Sequence, residues 1–212
     1  MSMVLEASQL SRYADELKTT GSTLIPMGVV FDASTLKELE RLQSLLPEEA
    51  VTQGDAGDTH DIYVRRIMVD RQGEVPQVVN RPHADQILGI LNREECRNAI
   101  AELFQSQDAF HIRRAQMNRM TAGSFIGLHL DAASNPDYDY SMIIQLGHDF
   151  AGGDFVVHDD AGARHAYAAT YGTVLLTTCK LRHEVARVTA GERNALVYFY
   201  SRHDGANRRH DA

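Results

Sequence analysis

The chain has 212 residues, 43% of them hydrophobic, which suits one globular domain with a sizeable core. It carries 29 acidic and 21 basic residues, a formal charge of −8, and this argues against a nonspecific nucleic-acid binder because phosphate contacts demand concentrated lysine and arginine. No apolar run approaches bilayer-spanning length, and Met1 to Lys18 lacks the apolar core of a secretory signal, so the expected location is cytoplasmic, with neither membrane nor nucleic acid as a partner.

In chain order, Ser8 to Lys18 reads as a short helix and Leu24 to Phe31 as a strand-like apolar run. Ala33 and Ser34 are placed to cap a helix reaching about Leu46, where Pro47 stops it. Leu36, Leu39, Leu42 and Leu45 recur at near-helical spacing and form its core-facing stripe. Gln53 to Ile62, with two glycines and three aspartates, reads as a lid or a disordered stretch. Ile62 to Val69 follows as a strand, with a turn at Asp70 to Gly73. Two helical stretches, His83 to Leu91 and Arg93 to Gln105, place Ile87, Leu88, Leu91, Ile100 and Leu103 in the core.

From Phe110 the character changes to short apolar or alternating runs separated by glycine, asparagine and aspartate, as in a sandwich or jelly roll. The expected class is therefore α+β with a mainly β core. It is organised as a single domain, with helical support over about 1–109, a strand-rich core over about 110–201 and a loose polar tail over 202–212. Cys96 and Cys179 are far apart and without metal-ligand spacing, and read as buried free thiols.

His129, Asp131 and His183 stand in the order and spacing of two histidines and a carboxylate meeting on one metal. Residues two apart on a strand share a face, so His129 and Asp131 can address one ion while Leu130 turns into packing. Such a set fills half an octahedron and leaves adjacent positions open, as in non-haem Fe(II) oxygenases. The remaining histidines, at 60, 83, 111, 148, 158, 165, 203 and 210, lack this paired context. Downstream of His183 the sequence reads as a turn at Gly191 and a returning strand that begins beside Arg193.

Over about Gln116 to Ser201 the chain resembles the Fe(II)- and 2-oxoglutarate-dependent dioxygenases, in their prolyl-hydroxylase-like branch. The elements that carry the resemblance are Arg119 to Gly123 leading to Phe125, the pair His129 and Asp131, the strand Tyr140 to Leu146, the Phe150 to Phe155 segment with Gly152 and Gly153, Gly172 to Leu176, and His183 to Arg193. The resemblance implies a double-stranded β-helix, or distorted jelly roll. It further implies Fe(II) on His129, Asp131 and His183, with 2-oxoglutarate and O2 as cosubstrates and Arg193 binding the far carboxylate of 2-oxoglutarate. A guanidinium fork matches two carboxylate oxygens better than an ammonium does. In related halogenases a small residue replaces the carboxylate ligand, so Asp131 points to hydroxylation or another oxidation.

Two positions depart from the family pattern. Met120 stands where many relatives have a tyrosine, and Gln145 stands where some place another against the cosubstrate. By strand parity Arg114, Gln116, Asn118 and Met120 share a face, which is either a wet cleft or the solvent side of an edge strand. Gln145, Asn118 and Gln116 are accordingly candidate cosubstrate contacts, and Arg114 is a candidate substrate contact. Tyr138, on a turn-rich Ala132 to Asp139 loop that reads as a mobile rim, is either a substrate contact or ordinary packing. The expected reaction is hydroxylation of an unactivated carbon of a small molecule, such as an amino acid or derivative, with release of succinate and CO2. A peptidyl hydroxylase is the alternative. Repair of alkylated nucleic acid and a non-catalytic jelly-roll binding module are weaker ones.

Overall fold

The computed structural model describes residues 7–51 (side chains from Leu10), 62–159 and 162–209. The first half contains α1 (Ala7–Thr20), β1 (Ser22–Ile25), α2 (Ala33–Ser44), β2 (Glu49–Val51), β3 (Ile62–Val69), β4 (Gln77–Val78), α3 (His83–Leu91) and α4 (Glu94–Leu103). The second half opens with β5 (His111–Thr121), β6 (Ile126–His129), the single turn α5 (Asp131–Ser134) and β7 (Tyr140–Leu146). It closes with β8 (Phe150–Gly152), β9 (Phe155–His158), β10 (Arg164–Tyr167), β11 (Val174–Thr178), β12 (Arg182–Val185) and β13 (Val188–Ser201).

The strands form two antiparallel sheets. The major sheet runs β1-β11-β7-β13-β5-β3-β2, with β4 and β8 attached, and the minor sheet runs β10-β9-β12-β6. This is the distorted jelly roll expected from the later strands. The front half is not helical support alone, because β1, β2 and β3 are integral to the major sheet.

Side-chain alternation sorts the core into two layers. On β7, Met142, Ile144 and Leu146 join the larger cluster under the helices, while Ile143 joins the smaller cluster between the sheets with Phe155, Leu175 and Val185. Helix α2 contributes Leu36, Leu39 and Leu42 to the larger cluster. The stripe then shifts, because the helix ends at Ser44: Leu45 is its exposed C-cap and Leu46 takes the buried place. The N-cap is Asp32, whose carboxylate accepts from the Thr35 amide at 2.8 Å, not Ala33 or Ser34.

Other expectations are also corrected. The strand beginning near Leu24 stops at Ile25, where Pro26 and Gly28 turn the chain before Phe31. The reversal after β12 falls at Ala186 and Arg187, and Gly191 lies inside β13, where any Cβ would collide with the Asp149 carbonyl. The Ala132 to Asp139 segment is anchored: the buried Asn135 donates to Asp70 at 2.8 Å, and Tyr138 is 3% exposed. Residues 202–209 are likewise held, since Asn207 bridges to Gln72 and donates to the Asp70 carbonyl. The Gln53 to Ile62 segment, apart from Ile62, and residues 210–212 lie outside the described residues. Cys96 and Cys179 are buried and unpaired, as expected.

A bulge in β5 decides which way two consecutive arginines point. Tyr200 of β13 pairs with Ile112 and Phe199 pairs with Arg114, so Arg113 is the extra residue. Arg113 turns into a fully buried ion pair with Asp70 and also donates to the carbonyls of His203 and Gly205, at 2.7 and 2.9 Å. Arg114 turns to the opposite face, between the sheets.

Candidate active site

The minor sheet brings the metal-ligand candidates together. His129 ends β6 and stands directly across from His183 on β12, so antiparallel register alone sets the two imidazoles side by side. Asp131 is not on a strand, as the spacing suggested, but opens α5, and the turn returns its carboxylate to the pair. The ligand atoms of all three lie within 4.8 Å of one another. The Asp131 oxygens stand 3.5 Å from His129 Nε2 and 3.4 Å from His183 Nε2.

Both imidazoles are held in one tautomer. His129 Nδ1 donates to the Gly127 carbonyl at 2.9 Å, and His183 Nδ1 donates to the Leu181 carbonyl at 3.0 Å. A carbonyl only accepts, so each Nδ1 carries a proton and each Nε2 faces Asp131, hydrogen-bonding the carboxylate when the ring is protonated and offering its lone pair when the ring is neutral. The Phe155 ring stacks on His183 at 4.8 Å. Burial pushes the His183 pKa down, with Asp131 opposing and His129 assisting, which favours the neutral ligand form. At Asp131 burial acts to raise the pKa, but the hydrogen bond from His129 and the charges of both histidines outweigh it and hold the carboxyl below its ordinary value.

Arg193 reaches the same cavity from the opposite sheet. It is 3% exposed, and its Nε is buried without a hydrogen-bond partner. Its Nη1 faces the Met120 sulfur at 3.8 Å, a weak acceptor. Burial lowers its pKa to about 10, with the Asp154 charge pulling the other way, so it remains a cation near neutrality. Gly153, at φ +74°, makes room for it: a Cβ there would lie 2.6 Å from Arg193 Cδ. The Gly152–Gly153 pair was visible in the sequence, but its purpose follows only from this contact.

One cavity of about 160 Å³ joins these parts. The triad and Arg193 line it, and so do Arg114, Gln116, Asn118 and Tyr138. The polar face of β5 is thus the wall of a cleft, not the outside of an edge strand. Gln145 is placed differently. It shares a small adjoining void with Arg193, Tyr167 and Thr173. Its amide nitrogen donates to the carbonyls of Leu146 and Asn194, at 2.8 and 2.9 Å. That leaves only its carbonyl oxygen, an acceptor, which does not hydrogen-bond a carboxylate. The roles of Phe155 and Asp70 were missed from the sequence: Phe155 closed the Phe150 to Phe155 segment without a place beside His183, and Asp70 read as part of a turn.

Fold and site together define a jelly-roll enzyme of the two-histidine, one-carboxylate type. Residues 115–201 match the 2OG-Fe(II) oxygenase superfamily. A crystal structure of an oxidoreductase of the 2OG-Fe(II) oxygenase family from Burkholderia pseudomallei is 54% identical, over 95% of this chain and 94% of that one, with a TM-score of 0.92. The chain belongs to the 2OG-Fe(II) oxygenase family. A PKHD-type hydroxylase from Parvibaculum lavamentivorans is 33% identical over 88 residues, 40% of each chain. A prolyl-4-hydroxylase from Pseudomonas putida shares the fold, with a TM-score of 0.64 at 19% identity, over 92% of this chain and 99% of that one. No helix among the described residues is long and apolar enough to cross a membrane.

The family's cofactors are Fe(II) and 2-oxoglutarate, with O2. The residues present fit both groups. The donor set is two neutral imidazoles and one carboxylate with their lone pairs converging, and the buried cation, short of acceptors, is matched by a dicarboxylate.

Proposed function

We propose that this protein is a hydroxylase that oxidises an unactivated carbon of a small molecule, such as an amino acid or derivative, with release of succinate and CO2. The observation that carries the reading is the pairing of the converged triad with a buried arginine that has, among the described residues, no hydrogen-bond acceptor better than a thioether. A cation is costly to bury alone, and a cosubstrate carboxylate supplies the missing partner.

His129, Asp131 and His183 would hold the iron through Nε2, a carboxylate oxygen and Nε2. When bound, Fe(II) with 2-oxoglutarate and O2 supplies the oxidising equivalent. The residues of the chain do the positioning. The Gly127 and Leu181 carbonyls hold the Nδ1 protons and so keep each Nε2 free, and Phe155 fixes the plane of His183. Arg193 would hold the far carboxylate of 2-oxoglutarate. Ile143, Val185 and Phe155 surround this inner end with apolar surface that excludes water.

The test is anaerobic addition of Fe(II) and 2-oxoglutarate. A weak visible charge-transfer band is expected, and it should be absent in His183→Ala and Asp131→Ala. A screen of amino acids, their derivatives and short peptides for substrate-dependent succinate release then separates the small-molecule reading from a peptidyl hydroxylase. No band and no succinate with any compound, in protein that binds zinc alone, would sink the assignment.

A further inference from the structure

We propose that Arg114 is a specificity-determining residue that selects a substrate bearing a carboxylate on a short aliphatic body. The proposal rests on the hydroxylase reading above and names the class of molecule that site takes.

Arg114, Gln116 and Asn118 form a hydrogen-bonded ladder along the cavity face of β5. Arg114 donates through Nε and Nη2 to Gln116 Oε1, at 3.1 and 3.0 Å, and Gln116 Nε2 donates to Asn118 Oδ1 at 2.8 Å. Each amide carbonyl therefore turns toward Arg114, and the Asn118 amide nitrogen is left as a donor toward the inner end. The ladder occupies one edge of the guanidinium and leaves the Nη1 side for a ligand. The Arg114 plane also lies 5.8 Å from the Phe199 ring, which stacks on Tyr138 at 4.7 Å. Two rings and an amide thus fix the orientation of a half-buried cation, a preorganised fork for an oxyanion.

Charge bookkeeping points the same way. Besides the metal-binding cluster, the charged residues lining the cavity among the described residues are Arg193 and Arg114. Asp131 and the two carboxylates of 2-oxoglutarate would balance Fe(II) and Arg193. Arg114 is then a cation in the wall with no ion pair among the described residues. It pairs with Phe199 on β13, whereas Met120, six positions on, pairs with Arg193, so the two guanidinium-bearing levels are about 20 Å apart along the strand. One molecule of cosubstrate at the Arg193 end leaves the Arg114 end for substrate. Between these levels Val64, opposite Asn118, and Val197, opposite Gln116, supply an apolar wall suited to aliphatic carbons, and Val51 and Ile62 continue it at the Arg193 level.

The experiment measures binding to protein loaded anaerobically with Fe(II) and 2-oxoglutarate, by calorimetry and by perturbation of the charge-transfer band. The probes are hexanoate, hexanamide, hexylamine and leucine, beside a leucine-containing peptide with a free or an amidated C-terminus. Wild type is expected to bind a small carboxylate at least about tenfold tighter than its amide, the scale of one charge-assisted hydrogen bond. Arg114→Gln should lose that preference and Arg114→Lys should regain part of it, with 2-oxoglutarate affinity unchanged in both. Equal binding of acid and amide, binding of no small probe, a response confined to peptides, or loss of 2-oxoglutarate affinity in Arg114→Gln would each overturn the proposal. Failure of wild type to bind 2-oxoglutarate at all would instead overturn the hydroxylase reading beneath it.

Discussion

Arg193 is the residue where apo stability and function pull in opposite directions. Keeping a guanidinium buried with a thioether as its nearest acceptor destabilises the protein without cosubstrate, and a bound dicarboxylate reverses that cost. Arg193→Gln should therefore leave the melting temperature of the free protein equal or higher. It should also weaken 2-oxoglutarate by the roughly 2–5 kcal/mol typical of removing one partner of a buried charge pair, about 30-fold or more by calorimetry. Arg193→Lys gives a test with a worked sign. Burial lowers the arginine to about 10, and the same burial would act on a lysine, whose ordinary value of about 10.4 is already below that of arginine. Binding needs the protonated form, so in this variant cosubstrate affinity should begin to fall at a lower pH than in wild type as pH rises. Gly153→Ala puts a Cβ against Arg193 Cδ at a positive φ, and should cost about 1–3 kcal/mol of stability together with cosubstrate affinity. Urea unfolding and titration would read the two losses separately.

At the level of elements, the legible part of the sequence was what strand periodicity and ligand chemistry record. Ile62–Val69, His83–Leu91 and Tyr140–Leu146 fall where the apolar patterns put them, because each is bounded by turn residues or a cap. His129 and His183 were legible as ligands by residue type, but their cross-strand pairing was not, since register between strands so distant in sequence is set by the whole sheet. The β5 bulge was invisible for the same reason. Strand parity put Arg114 on a face that was either a wet cleft or the solvent side and gave no role to Arg113, whereas an extra residue in the ladder sends one arginine into a buried pair and the other into the cleft. Asp70, which read as part of a turn, accepts from Arg113 at 2.9 and 3.0 Å and from Asn135 at 2.8 Å. Asp70→Asn should cost about 3–5 kcal/mol in chemical denaturation, because it strands a buried guanidinium. Fe(II) binding should survive in the folded fraction, since both histidine ligands rest on the other sheet.

On the scale of the whole molecule, the two sheets divide the labour. The minor sheet carries both histidine ligands, the major sheet carries Arg193 and the β5 ladder, and cosubstrate binding would engage both. Saturation at about 100 times Kd should stabilise the folded state by roughly 2.7 kcal/mol, or about 5–10 °C in Tm for a chain of this size. Arg193→Gln, at the same ligand concentration, should cut that shift to about a third or less in a thermal melt. Composition and charge fitted a single globular oxygenase domain but did not identify one; the placement of His129, Asp131, His183 and Arg193 did.

The segment after β13 carries a further consequence. Its carbonyls at His203 and Gly205 solvate the Arg113 guanidinium, Arg208 pairs with Asp137, and Asp137 sits one residue from the Tyr138 that stacks on Phe199. A stretch that composition marks as dispensable thus works as a keystone for the substrate end of the cleft. Proteolytic clipping after Ser201 should blunt turnover well before the iron is released.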